Sequence, residues 1–174
     1  QITALSGYVD VVDSTDTNAL SLTAAQVKAF AQAGISFTGA DDVTLSDSGA
    51  NFLAAFNAAD GSDIAALAGK NLDRIDLTDN AVTLTAAQAV ALVTANTPFA
   101  ASDASVVVSD TGAILTTITT AQATTLGALG VDRLDATDDA VCFYVAQIDA
   151  LRAAGVSLTA SDVVTMDDNG PALS

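Results

Sequence analysis

The chain has 174 residues, 21 acidic and 5 basic side chains and a net charge of −16, and every acid is Asp. Hydrophobic residues make up 51%, enough for a core, so wholesale disorder is excluded, while the charge argues against nucleic acid and against an anionic membrane surface. There is no His, and Cys142 is the single Cys, which excludes Ser-His-Asp and Cys-His catalysis, His-ligated metals and an intrachain disulfide.

Taken in chain order, Gln1–Leu5 matches the stretch from Gln122 to Leu126 and reads as a helix end. The window 9–34 opens on VDVVDSTD, a short strand ending near Asp16. Thr23-Ala-Ala-Gln26 follows as a capping box, then a helix with Val27, Phe30 and Ala31 on one face and Gly34 as its C-cap. The window 35–71 carries DDVTLSDSG with Asp47, and Gly69 near its end. The window 72–96 repeats the first kind, with LDRIDLTD and the box Thr85 to Gln88. The window 97–130 repeats the second, with ASVVVSDTG, the box Thr119 to Gln122 and Gly130. VDRLDATD opens 131–155, which also holds Gln147 and Gly155, and DVVTMDDNG lies in 156–174. Cys142 stands where sister windows hold Thr83 or Ser21 and reads as a small filler beside the core.

Aligning the two kinds puts Asp16, Asp47, Asp79, Asp110, Asp138 and Asp168 in one column, 28 to 32 residues apart. Such a period is the mark of a repeat architecture. The fold predicted is α/β: a right-handed solenoid of about six ~30-residue coils, with a parallel sheet on one side and short helices on the other. Residues 1–174 form one repeat domain, and the lack of polar capping repeats predicts an excerpt of a longer array. Strand alternation points Val12, Val43, Ile75, Val106, Leu134 and Val164 inward. Asp13, Thr44, Asp76, Val107, Asp135 and Thr165 then form an outward column, with Asp only in alternate coils, and Arg74 and Arg133 can pair with neighbouring Asp.

Leu72, Ile75, Leu77 and Asn80 fit LxxLxLxxN, so the chain resembles a leucine-rich-repeat-like solenoid. The resemblance implies that Thr17, Ser48, Asn80, Thr111, Asp139 and Asn169 satisfy backbone groups after each strand. The acidic Ala/Thr/Asp-rich repeats, with strings such as IDLTDNAVTLTAAQ, resemble those of large secreted bacterial surface proteins of the S-layer and type I-secreted adhesin classes. That resemblance implies a secreted or cell-surface location and a structural role as spacer, lattice or assembly scaffold. Neighbouring copies or repeats of the same protein are the expected partners.

The alternative is an adhesive module that binds calcium or a glycan through its Asp- and Thr-bearing sheet and turns. Within one strand the Asp-x-x-Asp-x-x-Asp residues alternate faces and cannot converge on one cation, which wants six to eight oxygens. Calcium bridging adjacent coils would instead use Asp41, Asp47, Asp103, Asp110, Asp162 and Asp168; otherwise the Asp of the column from Asp16 to Asp168 cap turns and helix starts. No cofactor is expected. No enzyme activity is expected either, because a repeating array gives its carboxylates similar surroundings, whereas acid–base pairs need dissimilar ones.

Overall fold

The computed structural model describes residues 2–15 and 18–167; Asp16, Thr17, Asp168 and Asn169 lie outside the described residues. After a 3-10 turn at Ile2–Leu5, the window 9–34 holds β1 (Val11–Val12), β2 (Ala19–Leu22) and α1 (Ala24–Ala33). The window 35–71 holds β3 (Ser36–Phe37), β4 (Asp42–Asp47), α2 (Gly49–Ala55) and α3 (Ser62–Ala65). In 72–96 come β5 (Arg74–Leu77), β6 (Ala81–Leu84) and α4 (Ala86–Ala95), and in 97–130 come β7 (Ser105–Asp110), α5 (Gly112–Leu115) and α6 (Thr120–Ala128). β8 (Arg133–Ala136), β9 (Ala140–Tyr144) and α7 (Val145–Ala153) fill 131–155, and β10 (Ser157–Leu158) and β11 (Val163–Asp167) follow.

The architecture is mixed α/β, and each strand pair among the described residues is parallel. The strands form four sheets rather than the one expected: β1-β3, β2-β4-β5, β6-β7-β8-β10 and β9-β11. The windows beginning at 9, 72 and 131 each contain two strands. In the second and third, the turn between them is closed by Asn80 N–H to Leu77 O and Asp139 N–H to Ala136 O. Asn80 and Asp139 sit at φ 55° and 52°, a left-handed conformation that Asn and Asp tolerate better than other side chains. In the alternate windows Ser48 and Thr111 stand at the N-caps of α2 and α5 instead.

Register differs from the sequence alignment by two residues. The first half of β4 pairs with β2, Asp42 opposite Ala19, and its second half pairs with β5, Leu45 opposite Ile75 and Asp47 opposite Leu77. β7 does the same between β6 and β8, so Val108, not Val106, faces Leu134. A long strand shared between two neighbours is staggered against the second of them. An even shift leaves the faces unchanged, and Val43, Ile75, Val106 and Leu134 are all fully buried. Val164 is the exception, 37% exposed in β11 at a sheet edge.

The buried hydrophobic residues other than Ile35 form one cluster that runs from Ala24 to Val156. Phe52 lies against Phe56 and Phe99, with ring centroids 5.1 Å and 6.3 Å apart, filling the space beside the short helices of the window 35–71. The predicted capping boxes at Thr23, Thr85 and Thr119 are all present. Gly34 is left-handed and closes α1, whereas Asn96 does so for α4. Cys142 is exposed on β9 opposite Thr165, a correction to its expected place beside the core.

Candidate functional site

The recurring Asp are the residues on which any site must be built, and their oxygens are engaged by backbone. In a first set, each carboxylate accepts from the first N–H of a helix in the preceding window. Ala24 of α1 donates to Asp47 at 3.1 Å, Gly49 of α2 to Asp79 at 2.9 Å, Ala86 of α4 to Asp110 at 3.2 Å and Gly112 of α5 to Asp138 at 2.8 Å. A helix N-terminus leaves such donors without partners and attracts negative charge, so Asp suits the position twice over. These are caps supplied from the next window, not by the residue beside the helix.

A second set closes strand ends. Val43 N–H donates to Asp73 at 2.7 Å, and Val106 N–H to Asp132 at 2.8 Å. In a third set Ser14, Leu77 and Ala136 N–H groups donate to Asp41, Asp103 and Asp162 at 3.1–3.2 Å. Each Asp of this third set closes a turn through its own N–H, as Asp103 does to Ala100 O at 2.9 Å. Together the three sets account for every Asp in the proposed calcium list except Asp168, which lies outside the described residues. Asp41 Oδ1 and Asp162 Oδ1 have no protein partner. No three acidic or Cys side chains converge as a metal group among the described residues.

Two surroundings move these carboxyls in opposite directions. Asn51 donates to Asp47 at 2.6 Å and holds its carboxyl below the usual value, helped by the backbone bonds from Ala24 and Ser48. Burial pushes the Asp103 carboxyl up, and the negative charges of Asp76 and Asp79 add to this against the bond from Leu77.

The outward column is not the one expected. Thr44 faces Arg74 and Val107 faces Arg133, while Asp76 and Asp135 face Ser46 and Ser109. Ser109 Oγ donates to Asp135 at 2.8 Å. Thus Ser46 and Ser109, not Thr44 and Val107, stand beside Asp76 and Asp135. Arg74 pairs with Asp42 at 2.9 Å on the exposed surface, where such a pair contributes little. Lys28 pairs with Asp63 at 3.2 Å and also donates to Ala55 O.

Gln88 and Gln147 do more than the capping expected of them. Each reaches back to the N–H of the residue before its helix, Thr85 and Tyr144. Their amide nitrogens then donate into the preceding window, Gln88 to Phe56 O and Gln147 to Thr116 O and Ile118 O. Both are buried, which a capping box alone does not require. The third set of Asp was also not recognised as a cap, although Asp41, Asp103 and Asp162 each follow a small-residue turn.

Asp138→Ala removes the acceptor from a buried N–H at the start of α5. It is expected to cost about 1–2 kcal/mol, whereas Asp135→Asn, facing only Ser109, should change stability by less than about 0.5 kcal/mol. Urea titration of both variants checks this, and equal losses would count against the cap.

The arrangement joins successive windows through backbone donors. Comparison with protein-family models, with curated proteins and with solved structures finds no match to this chain.

Proposed function

We propose that this chain is a structural repeat module, a right-handed α/β solenoid of about six coils. It acts as a spacer or assembly scaffold in an extracellular bacterial surface or filament-forming protein. The observation that carries the reading is the repetition of one junction: Asp79 on Gly49 and Asp138 on Gly112, with Asp73 on Val43 and Asp132 on Val106. Parallel pairing in the same register, Leu45 with Ile75 and Val108 with Leu134, accompanies both. A chain built by repeating one junction sets a length, and its stability is a sum of unit and neighbour terms. The surface location rests on the acidic, Cys-poor composition and the compositional resemblance to secreted surface proteins.

Deleting Leu72 to Gly130 tests this. Asn71 then runs into Val131, and β4 meets β8 with Asp132 beneath Val43 N–H and Asp138 beneath Gly49 N–H. The shortened protein should melt cooperatively by circular dichroism. At about 4.8 Å per strand, its longest dimension in X-ray scattering should fall by roughly 10 Å. A disordered chain, or an unchanged length, would count against the spacer.

A further inference from the structure

We propose that a cleft at the junction between the windows 35–71 and 72–96 binds an uncharged, hydroxylated ligand, a single sugar residue. The junction lies inside the chain, away from both of its ends. The repeat enters only through the equivalence of positions, and the role as a spacer is not assumed.

At this junction the chain departs from its own pattern. At three sister helix ends, a buried aliphatic residue follows a left-handed Gly and its N–H closes back onto the helix. Ile35 donates to Phe30 O, Val131 to Leu126 O and Val156 to Leu151 O, at 2.9–3.0 Å, the bond that completes a Schellman motif. The equivalents at the junction are Leu72 and Thr97, and neither makes it. Leu67 O accepts from Lys70 and Leu92 O from Asn96 instead. Among the described residues the N–H groups of Asn71, Leu72 and Thr97 have no acceptor. Yet Leu72 and Thr97 are only 7% and 1% exposed. Buried backbone donors are almost always paired, and where protein supplies no acceptor, water or a ligand does.

The side chains change at the same place. Asn71 and Asn96, at φ 57° and 53°, take the left-handed position that Gly34, Gly130 and Gly155 hold elsewhere. Thr97 stands where Ile35 and Val156 stand, and its hydroxyl reaches only Ala95 O, at a long 3.4 Å. The Asn71 side-chain amide is fixed by donating to Phe37 O at 2.6 Å. These residues line one cleft of about 300 Å³, with Leu72 and Thr94 among others. The sister junction has no such room, since a Cβ on Gly127 would lie 2.3 Å from Ala154 O. Ala68 takes the place of Gly127 here and carries the Cβ which that contact excludes. The space left holds more than a bridging water.

No charged side chain lines the cleft. The net charge of −16 and the negative pole at the end of α4 repel an anion, and unpaired N–H donors repel a bare cation. In the sister windows the same N–H groups take a neutral oxygen. A hydroxyl offers that oxygen and also donates, to Asn or Thr oxygens or to the last carbonyls of α4, which lack intrahelical partners. A sugar presents several hydroxyls on a rigid ring, and a few placed backbone, Asn and Thr groups are what orient such a ligand. The volume lies at the small end of ligand pockets, which suits one ring and not a longer glycan.

Titrating isotope-labelled protein with methyl glycosides of the common hexoses, N-acetylhexosamines, pentoses and deoxyhexoses, followed by backbone amide shifts, tests the proposal. At least one should saturate, with the Asn71, Leu72 and Thr97 amides moving most. Thr97→Val and Asn96→Gly put back the residues of the sister windows. Each should weaken that binding at least tenfold with melting unchanged. Saturation by none of the glycosides overturns the proposal and leaves the cleft to water. So do shifts centred elsewhere, or binding that both variants retain. Glycerol and acetate are run alongside: saturation by glycerol alone would make the occupant a small polyol and by acetate alone an anion, and either result overturns the sugar.

Discussion

Gly112→Ala is expected to cost about 3 kcal/mol and to lower the melting temperature by several degrees. A Cβ at Gly112 would stand 1.8 Å from the carbonyl oxygen of Ala140 and 2.9 Å from its carbon. Those atoms belong to the strand of the next window, so no side chain can turn aside to make room. Gly49 meets Ala81 O in the same way, at 2.0 Å. The glycine is where a helix start comes against the neighbouring strand, and its N–H is the one held by Asp138. Relief requires the two windows to separate, which also stretches that bond and the β7-β8 pairing behind it. Overpacking a close-packed core typically costs 1–3 kcal/mol, and more where the obstacle is backbone. Gly39→Ala is the control, since nothing lies within 4 Å of its Cβ position. Denaturant titration should show it within about 0.5 kcal/mol of the parent. Equal behaviour of the two variants would mean that the windows are not in contact at Gly112.

The capping boxes and the inward faces of Val43, Ile75, Val106 and Leu134 were legible because each depends on residues close in sequence. Thr85 and Gln88 are three apart and complete their box without tertiary help. The recurrence of Asp was legible too, but its meaning was not. Asp79 looks like a turn residue of its own window, and only the stacking shows that it caps Gly49, thirty residues earlier. The stagger between β4 and β5 was hidden for a related reason. Alignment maximises matching letters, whereas pairing is decided by which N–H groups β2 has left free on β4. Half of the candidate calcium residues, Asp47, Asp110 and Asp168, were read from the same Asp column. Asp47 and Asp110 instead spend their oxygens on Ala24 and Ala86 N–H groups, a use of carboxylate that composition cannot separate from metal binding. Gly49 and Gly112 carried a signal in the DSG and DTG strings, yet nothing local showed that an alanine carbonyl lay against them.

Ile75→Asp should unfold the protein or cost several kcal/mol, while Asp76→Asn, one residue on, should give a small gain of less than about 0.5 kcal/mol at neutral pH. Ile75 is fully buried in β5, opposite Leu45 on one side and bridged to Phe99 on the other. Its neighbours are aliphatic or aromatic, and its backbone N–H already serves Pro98 O. A carboxylate there has no donor to accept from, and an isolated buried charge is among the most costly substitutions a core can receive. Asp76 points to the other face, opposite Ser46. Its charge also raises the pKa of Asp103, so removing it relieves the buried carboxylate instead of straining it. The sign of the pH dependence follows by linkage. A carboxyl whose pKa is raised on folding weakens the native state once it ionises, so the penalty is present at neutral pH and disappears below the ordinary carboxylate pKa. The gain from Asp76→Asn should therefore be seen at pH 7 and vanish near pH 3. Urea titrations of parent and both variants at the two pH values provide the measurement. Comparable losses for Ile75→Asp and Asp76→Asn at pH 7 would reverse the faces assigned to β5, and a gain from Asp76→Asn that persists at pH 3 would remove Asp103 as its source.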